Sequence, residues 1–238
     1  MHRRLMSVMA LTFLSGFFAV PSASAQQSVS FYIGGFTPRP LDARPDADVL
    51  VQNGTFLSTS PHTNGIDIGQ FNHVTLGADW LFGIGNYLEG GLGLGRYQRS
   101  VLTSYTASTN ADGSEIAQTL KLRIVPFTAT VRVLPFGHNQ PVQPYIGAGV
   151  GAYRWRYSET GQFIDPENFV FSGNFVGSGV ATGPTILGGV RIPIGSAGVG
   201  FEIRHQSAQG DLPTDKGFAG TKIDLGGYNY LFTMSYKF

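Results

Sequence analysis

The sequence predicts an all-β chain folded as an eight-stranded antiparallel up-and-down transmembrane β-barrel. Three observations predict it. First, the last twelve residues alternate: Tyr228, Tyr230, Phe232, Met234, Tyr236 and Phe238 on one parity, Gly227, Asn229, Thr233, Ser235 and Lys237 on the other. A strand sends successive side chains to opposite faces, so this segment has one greasy and one wet face. Second, seven earlier segments repeat the pattern, and their connections alternate long and short, the asymmetry of barrels that cross a membrane. Third, within the parts of these segments expected to span, the acids and bases collect on one parity, which a hydrocarbon surround would enforce.

Composition supports this reading. The 238 residues are 42% hydrophobic and 13% charged, with 33 Gly and no Cys, which suits many short strands and excludes disulfides, thiolate metal sites and cysteine nucleophiles. His2, Arg3 and Arg4 precede an apolar run from Leu5 to Val20 and the small-residue site Ala23-Ser24-Ala25. Residues 1–25 read as a secretory signal peptide and 26–238 as a barrel with four long extracellular loops. Cleavage removes two Arg and leaves a nearly neutral chain, so nucleic acid is not an expected partner. No later run is apolar and long enough to cross as a helix, so a membrane-embedded chain must close as a barrel, in which every backbone group is paired.

The first predicted strand, 28–37, sets Val29, Phe31 and Ile33 against Ser28, Ser30 and Tyr32. Pro38 and Pro40 end it, and a polar segment to about 72 reads as loop one. Strand two, 73–82, turns Val74, Leu76, Trp80 and Phe82 outward, and a short turn at 83–86 leads to strand three, 87–99, with Leu88, Leu92 and Leu94 outward. Loop two is expected at 99–119. Strand four, 120–134, presents Phe127, Val131 and Val133; after a modest turn, strand five, 144–157, presents Ile146 and Val150. The Gly-, Asn- and Ser-rich stretch 158–183 reads as loop three. Strands six (185–194) and seven (199–206) flank a tight turn, loop four covers 207–225, and the terminal strand completes the set.

The face assignment singles out residues. Asp79, Glu89, Arg132, Arg191, Glu202 and Lys237 fall on the inward parity, where buried charge must pair, so they are expected to form a barrel-interior charge network. Arg96, Lys121, Arg123, Arg154 and Arg156 fall on the outward parity near the loop ends. There they would ring the barrel at the outer headgroup level as candidate contacts for lipopolysaccharide phosphates, which Arg grips with a planar fork. The aromatics of loops one and three (Phe56, Phe71, Phe163, Phe169, Phe171, Phe175) are candidates for meeting a partner. Asp42, Asp46, Asp48, Asp165 and Glu167 lack the spacing of a calcium loop, and no metal or cofactor is expected. Gly91-Leu92-Gly93-Leu94-Gly95 lies in a strand without a following helix and is not a nucleotide cradle.

With these residues in view, the chain resembles the small eight-stranded outer-membrane barrels of the opacity-type, OmpX-like and OmpW-like families. The likeness rests on Ile124-Val125-Pro126-Phe127-Thr128-Ala129-Thr130-Val131-Arg132-Val133, on Gln143 to Tyr153, on Gly200-Phe201-Glu202-Ile203-Arg204-His205 and on the terminal Phe238. It implies an outer-membrane location, lipid and lipopolysaccharide surroundings, a monomer, and an assembly signal at Tyr236 and Phe238 read by the outer-membrane assembly machinery. Function does not follow from this fold, which serves anchors, adhesins, narrow channels and enzymes. The expected function is a non-enzymatic surface barrel whose loops carry recognition. The alternatives are a narrow channel for small or apolar solutes and a lipid A deacylase. The deacylase reading rests on His205-Gln206-Ser207, which is similar to the His-x-Ser pair of PagL-type enzymes. Asp224 is the nearest orienting acid. Ala208 stands where that family has Asn, and Ala219 or Gly220 is near the register of its usual Glu.

Overall fold

A computed structural model describes residues 27–59 and 65–238, and the expected signal peptide lies outside them. Eight strands form the barrel: β1 (Gln27–Pro38), β3 (His73–Ile84), β4 (Leu88–Thr109), β5 (Glu115–Val133), β6 (Gln143–Ile164), β7 (Val170–Ile194), β8 (Ala197–Gln206) and β11 (Gly227–Lys237). Each pairs antiparallel with its sequence neighbour, β1 pairs with β11, and the β4–β5 pairing completes the ring. Closure removes both sheet edges, the condition for strands in lipid. The turns at one end are tight, with Gly85 and Gly195 at positive φ of 69° and 63°, a conformation that disfavours any side chain.

The wall is uneven. On one side β8, β11, β1 and β3 have 10, 11, 12 and 12 residues, about what a tilted strand needs to cross the hydrocarbon. On the other, β4 to β7 have 22, 19, 22 and 25 and rise on the order of 30 Å further along the strand direction. The stretches expected as loops two and three are therefore mostly strand, interrupted only by short turns near 110–114 and 165–169.

The physical cause is a polarity inversion along the same strands. In the lower half Leu92, Phe127, Val131, Ile146, Val150 and Ile186 are exposed on the outside, where lipid surrounds them. Past the level of Arg96 and Arg154 the outward positions become mostly polar or basic, Leu102 excepted, and the inward ones include Val101, Leu120, Leu122, Ile124, Trp155 and Tyr157, all buried. Above the membrane water lies outside, so the apolar face turns to the interior as in a soluble sheet.

Loops one and four supply the other side of that upper core. Loop one carries α1 (Val49–Asn53) and β2 (Leu57–Ser58), and β2 pairs with β4 beyond the point where β3 ends. Loop four carries the hairpin β9 (Gln209–Asp211) and β10 (Lys222–Asp224). Val49, Leu50, Leu57, Phe71, Leu212, Ile223 and Leu225 pack with the tall wall's inward face in one cluster.

Candidate functional site

The lower lumen is filled by charge. Arg132, from β5, reaches Asp79 at 3.0 Å, Glu202 at 3.2 Å and Glu89 at 3.7 Å. Arg191 holds Glu89 at 2.9 Å, and Arg204 holds both Asp79 and Glu202 at 2.7 Å. These three carboxylates and three guanidiniums, all at least 94% buried at the side chain, balance in charge. Tyr145 lies between Arg132 and Arg191, 5.1 and 5.8 Å from the ring centroid, and donates to Glu202 at 3.0 Å. Arg204 stacks over Tyr32 at 5.2 Å. Such stacking suits guanidinium, which is weakly hydrated and planar. Glycines on β4 leave the room: a Cβ at Gly93 would strike Asp79 and one at Gly95 would strike Tyr32.

Two residues differ from the sequence expectation. Arg204 is central and joins the six-residue lattice beyond the expected set, and its inward parity two positions after Glu202 is visible in the sequence. Lys237 is inward but makes no ion pair among the described residues; it sits at the end of β11, and its backbone N–H bonds Ser196. Lys237 is half-buried at this end of the strand and stops short of an ion pair with the lattice.

Above the lattice, polar contacts fasten the plug. Asp48 caps α1 by accepting from Leu50 N at 2.9 Å, accepts twice from Arg44 at 3.1 Å, and accepts from Asp224 N at 2.5 Å, joining loop one to loop four. Asn53 donates to Glu159 at 2.6 Å, and Tyr157 donates to the same carboxylate oxygen at 2.8 Å. Burial pushes the Glu159 carboxyl above its ordinary range, against those two hydrogen bonds. Burial likewise raises Asp48, opposed first by Arg44.

The candidate aromatics divide. Phe71 and Phe163 are buried, Phe56 stacks on Tyr105, and Phe175 packs against Phe163 and Phe218. Phe169 is 70% exposed and Phe171 is 41% exposed at the tip of the β6–β7 hairpin. Asp165 serves that turn, accepting from Phe169 N at 2.7 Å. Asp48 is likewise occupied by protein donors and is not free for a cation.

His205, Ser207 and Asp224 are not joined as base, nucleophile and acid. The His205 ring lies on the outer wall against Tyr228, with centroids 4.8 Å apart. Ser207 Oγ accepts from Arg39 at 2.8 Å, and the same guanidinium holds Asp224 at 2.9 Å. Asp224 therefore neutralises an arginine, and Ser207 meets a donor where a nucleophile needs a base.

The five outward cations occupy β4, β5 and β6 only, so they form a patch on the tall wall and not a ring. At the loop ends of its strands the short wall carries His73, His205 and Tyr228.

No protein-family model matches this chain, and no curated protein matches it. Solved structures do. The outer membrane protein OprG from Pseudomonas aeruginosa is 12% identical, with 90% of this chain and 96% of that one covered and a TM-score of 0.51. Neisserial surface protein A is 13% identical over 92% and 100%, at 0.49. Escherichia coli outer membrane protein W is 14% identical over 91% and 100%, at 0.43. At these identities the likeness to OprG speaks to the fold and to nothing finer. With its closed ring, its apolar belt and this likeness, the chain has the fold of the small eight-stranded outer-membrane β-barrels.

Proposed function

We propose that this protein is a closed, non-enzymatic surface barrel that presents a rigid extracellular wall for interaction and does not conduct solutes. The supporting observation is that the lumen is occupied at two heights by unlike materials. Ions or sugars would have to displace the six-residue charge lattice, whose members hold one another at 2.7 to 3.7 Å. They would then have to cross the apolar core built by loops one and four against β4 to β7. Recognition falls to the projecting wall and its hairpin tips, since loops one and four are committed to packing. Tyr236 and Phe238, exposed on the lipid-facing parity of the closing strand, are the assembly signal in this reading, and the barrel works as a monomer.

Planar-bilayer recording tests this. The native barrel is expected to give no resolved steps. Steady conductance steps from the native protein, or uptake of a small apolar solute into proteoliposomes that depends on it, would overturn the closed reading in favour of a narrow channel.

A further inference from the structure

Arg96, Lys121, Arg123, Arg154 and Arg156 point outward, and none has a carboxylate within ion-pair distance among the described residues. Arg123 and Arg156 are direct cross-strand partners, an arrangement in which like charges repel. An anion between them removes the repulsion. A 380 Å³ cleft is in place there, lined by Lys121, Arg123 and Arg156 with the polar Gln98, Ser158 and Asn174.

Immediately below lies apolar surface. A groove of 540 Å³ runs between Leu92, Phe127 and Val150, floored by the small Ala129 and Ala152. Ala152 is the next outward residue below Arg154 on β6, ~7 Å along the strand. A second groove of 470 Å³ is lined by Phe31, Leu76, Leu94 and Val125, with Arg96 as part of its lining. The cations span three adjacent strands, ~10 Å across, broad enough for more than one phosphate.

We propose that the outer face of β4–β6, with the adjoining outer face of β1 and β3, is a one-sided binding site for a single outer-leaflet lipid with two phosphate groups and several acyl chains, the chemistry of the lipid A portion of lipopolysaccharide. Lys121, Arg123, Arg154 and Arg156 take the phosphates. The chains lie in the two grooves, and Arg96 bridges headgroup and chain. The site stands whether or not the barrel conducts.

The test uses the full mature barrel in mild detergent, with lipid retention read by native mass spectrometry and affinity by titration of bisphosphorylated lipid A. The parent is expected to retain one lipid and to prefer the bisphosphorylated form to the monophosphorylated one. The double variant R123Q/R156Q is expected to bind at least ten-fold more weakly, and K216Q, a charge removal in exposed loop four, to bind as the parent. Ala152→Trp fills the main groove without touching charge and is expected to weaken the lipid while leaving inorganic phosphate binding unchanged. Equal retention by R123Q/R156Q and parent, or an equal loss in K216Q, overturns the proposal. So does displacement of the lipid by inorganic phosphate at the lipid's own affinity, which would reduce the patch to an anion site. Should R123Q/R156Q lose its heat-modifiable electrophoretic shift, A152W decides: undiminished lipid retention overturns the site.

Discussion

Removing Arg132 from the lumen is the most exacting test of the charge lattice. Its guanidinium serves Asp79 at 3.0 Å and Glu202 at 3.2 Å, with Glu89 at 3.7 Å, and its side chain is 3% exposed. At an effective dielectric of about 20, each of the two close contacts is worth roughly 5 kcal/mol of gross Coulomb attraction. Most of that offsets the cost of dehydrating the charges. Arg132→Met preserves length but leaves three carboxylates facing two guanidiniums. Deleting one partner of a buried pair typically costs about 3–5 kcal/mol. Asp79 keeps Arg204 and Glu89 keeps Arg191, which places the expected loss near the lower bound, about 3 kcal/mol. Restoring neutrality in Arg132→Met/Glu202→Gln should recover part of it, with a coupling energy of about 1–3 kcal/mol between the two sites. The assay is reversible urea unfolding in lipid vesicles, followed by Trp fluorescence and by electrophoretic mobility. A slope of about 2 kcal/mol per molar would turn 3 kcal/mol into a midpoint shift of about 1.5 M. A single variant within about 0.5 kcal/mol of the parent, or strictly additive single and double changes, would refute the lattice as a mutually dependent unit.

Other expectations follow from the same geometry. Glu159 binds its proton more tightly folded than unfolded, so its contribution favours the fold at low pH. That contribution is lost as pH rises from the ordinary carboxylate value through the raised one; Glu159→Gln should flatten the dependence in denaturation midpoints taken from about pH 4 to about 8, and an unchanged slope would contradict the assignment. Val150→Arg, on the lipid face, should cost about 2–4 kcal/mol, whereas Leu102→Arg, equally outward but on the projecting part of β4 and 68% exposed, should change stability by less than about 0.5 kcal/mol; equal costs in vesicle unfolding would refute the polarity inversion. Ser207→Ala should cost about 1 kcal/mol through the lost Arg39 contact, and lipid extracted from cells expressing it should carry the same acylation by mass spectrometry as lipid from cells with the parent. A deacylated lipid seen only with the parent would establish catalysis at Ser207.

The amino-acid order by itself determined the barrel. Period-two alternation, eight times repeated, with Asp79, Glu89, Arg132, Arg191 and Glu202 on one parity, leaves a bilayer one orientation of each strand, because hydrocarbon penalises the other face. The extent of the strands was not legible in the same way. Segments 99–119 and 158–183 look like loops by their Gly, Ser and Asn content, yet they keep the alternation with its sign reversed. That reversal acquires meaning only once water replaces lipid outside and loops one and four supply apolar partners inside. Tertiary structure also decided which inward charges meet. Parity puts Arg204 and Lys237 on the same face, but only the height of each side chain along the closed lumen brings Arg204 to Asp79 and Glu202 and leaves Lys237 at the rim. It decided the fate of His205, Ser207 and Asp224 as well. Their spacing suggested a catalytic chain, and Arg39, more than a hundred and sixty residues away from Ser207, claimed two of the three. Contacts between distant segments depend on closure and strand height, which no local pattern encodes.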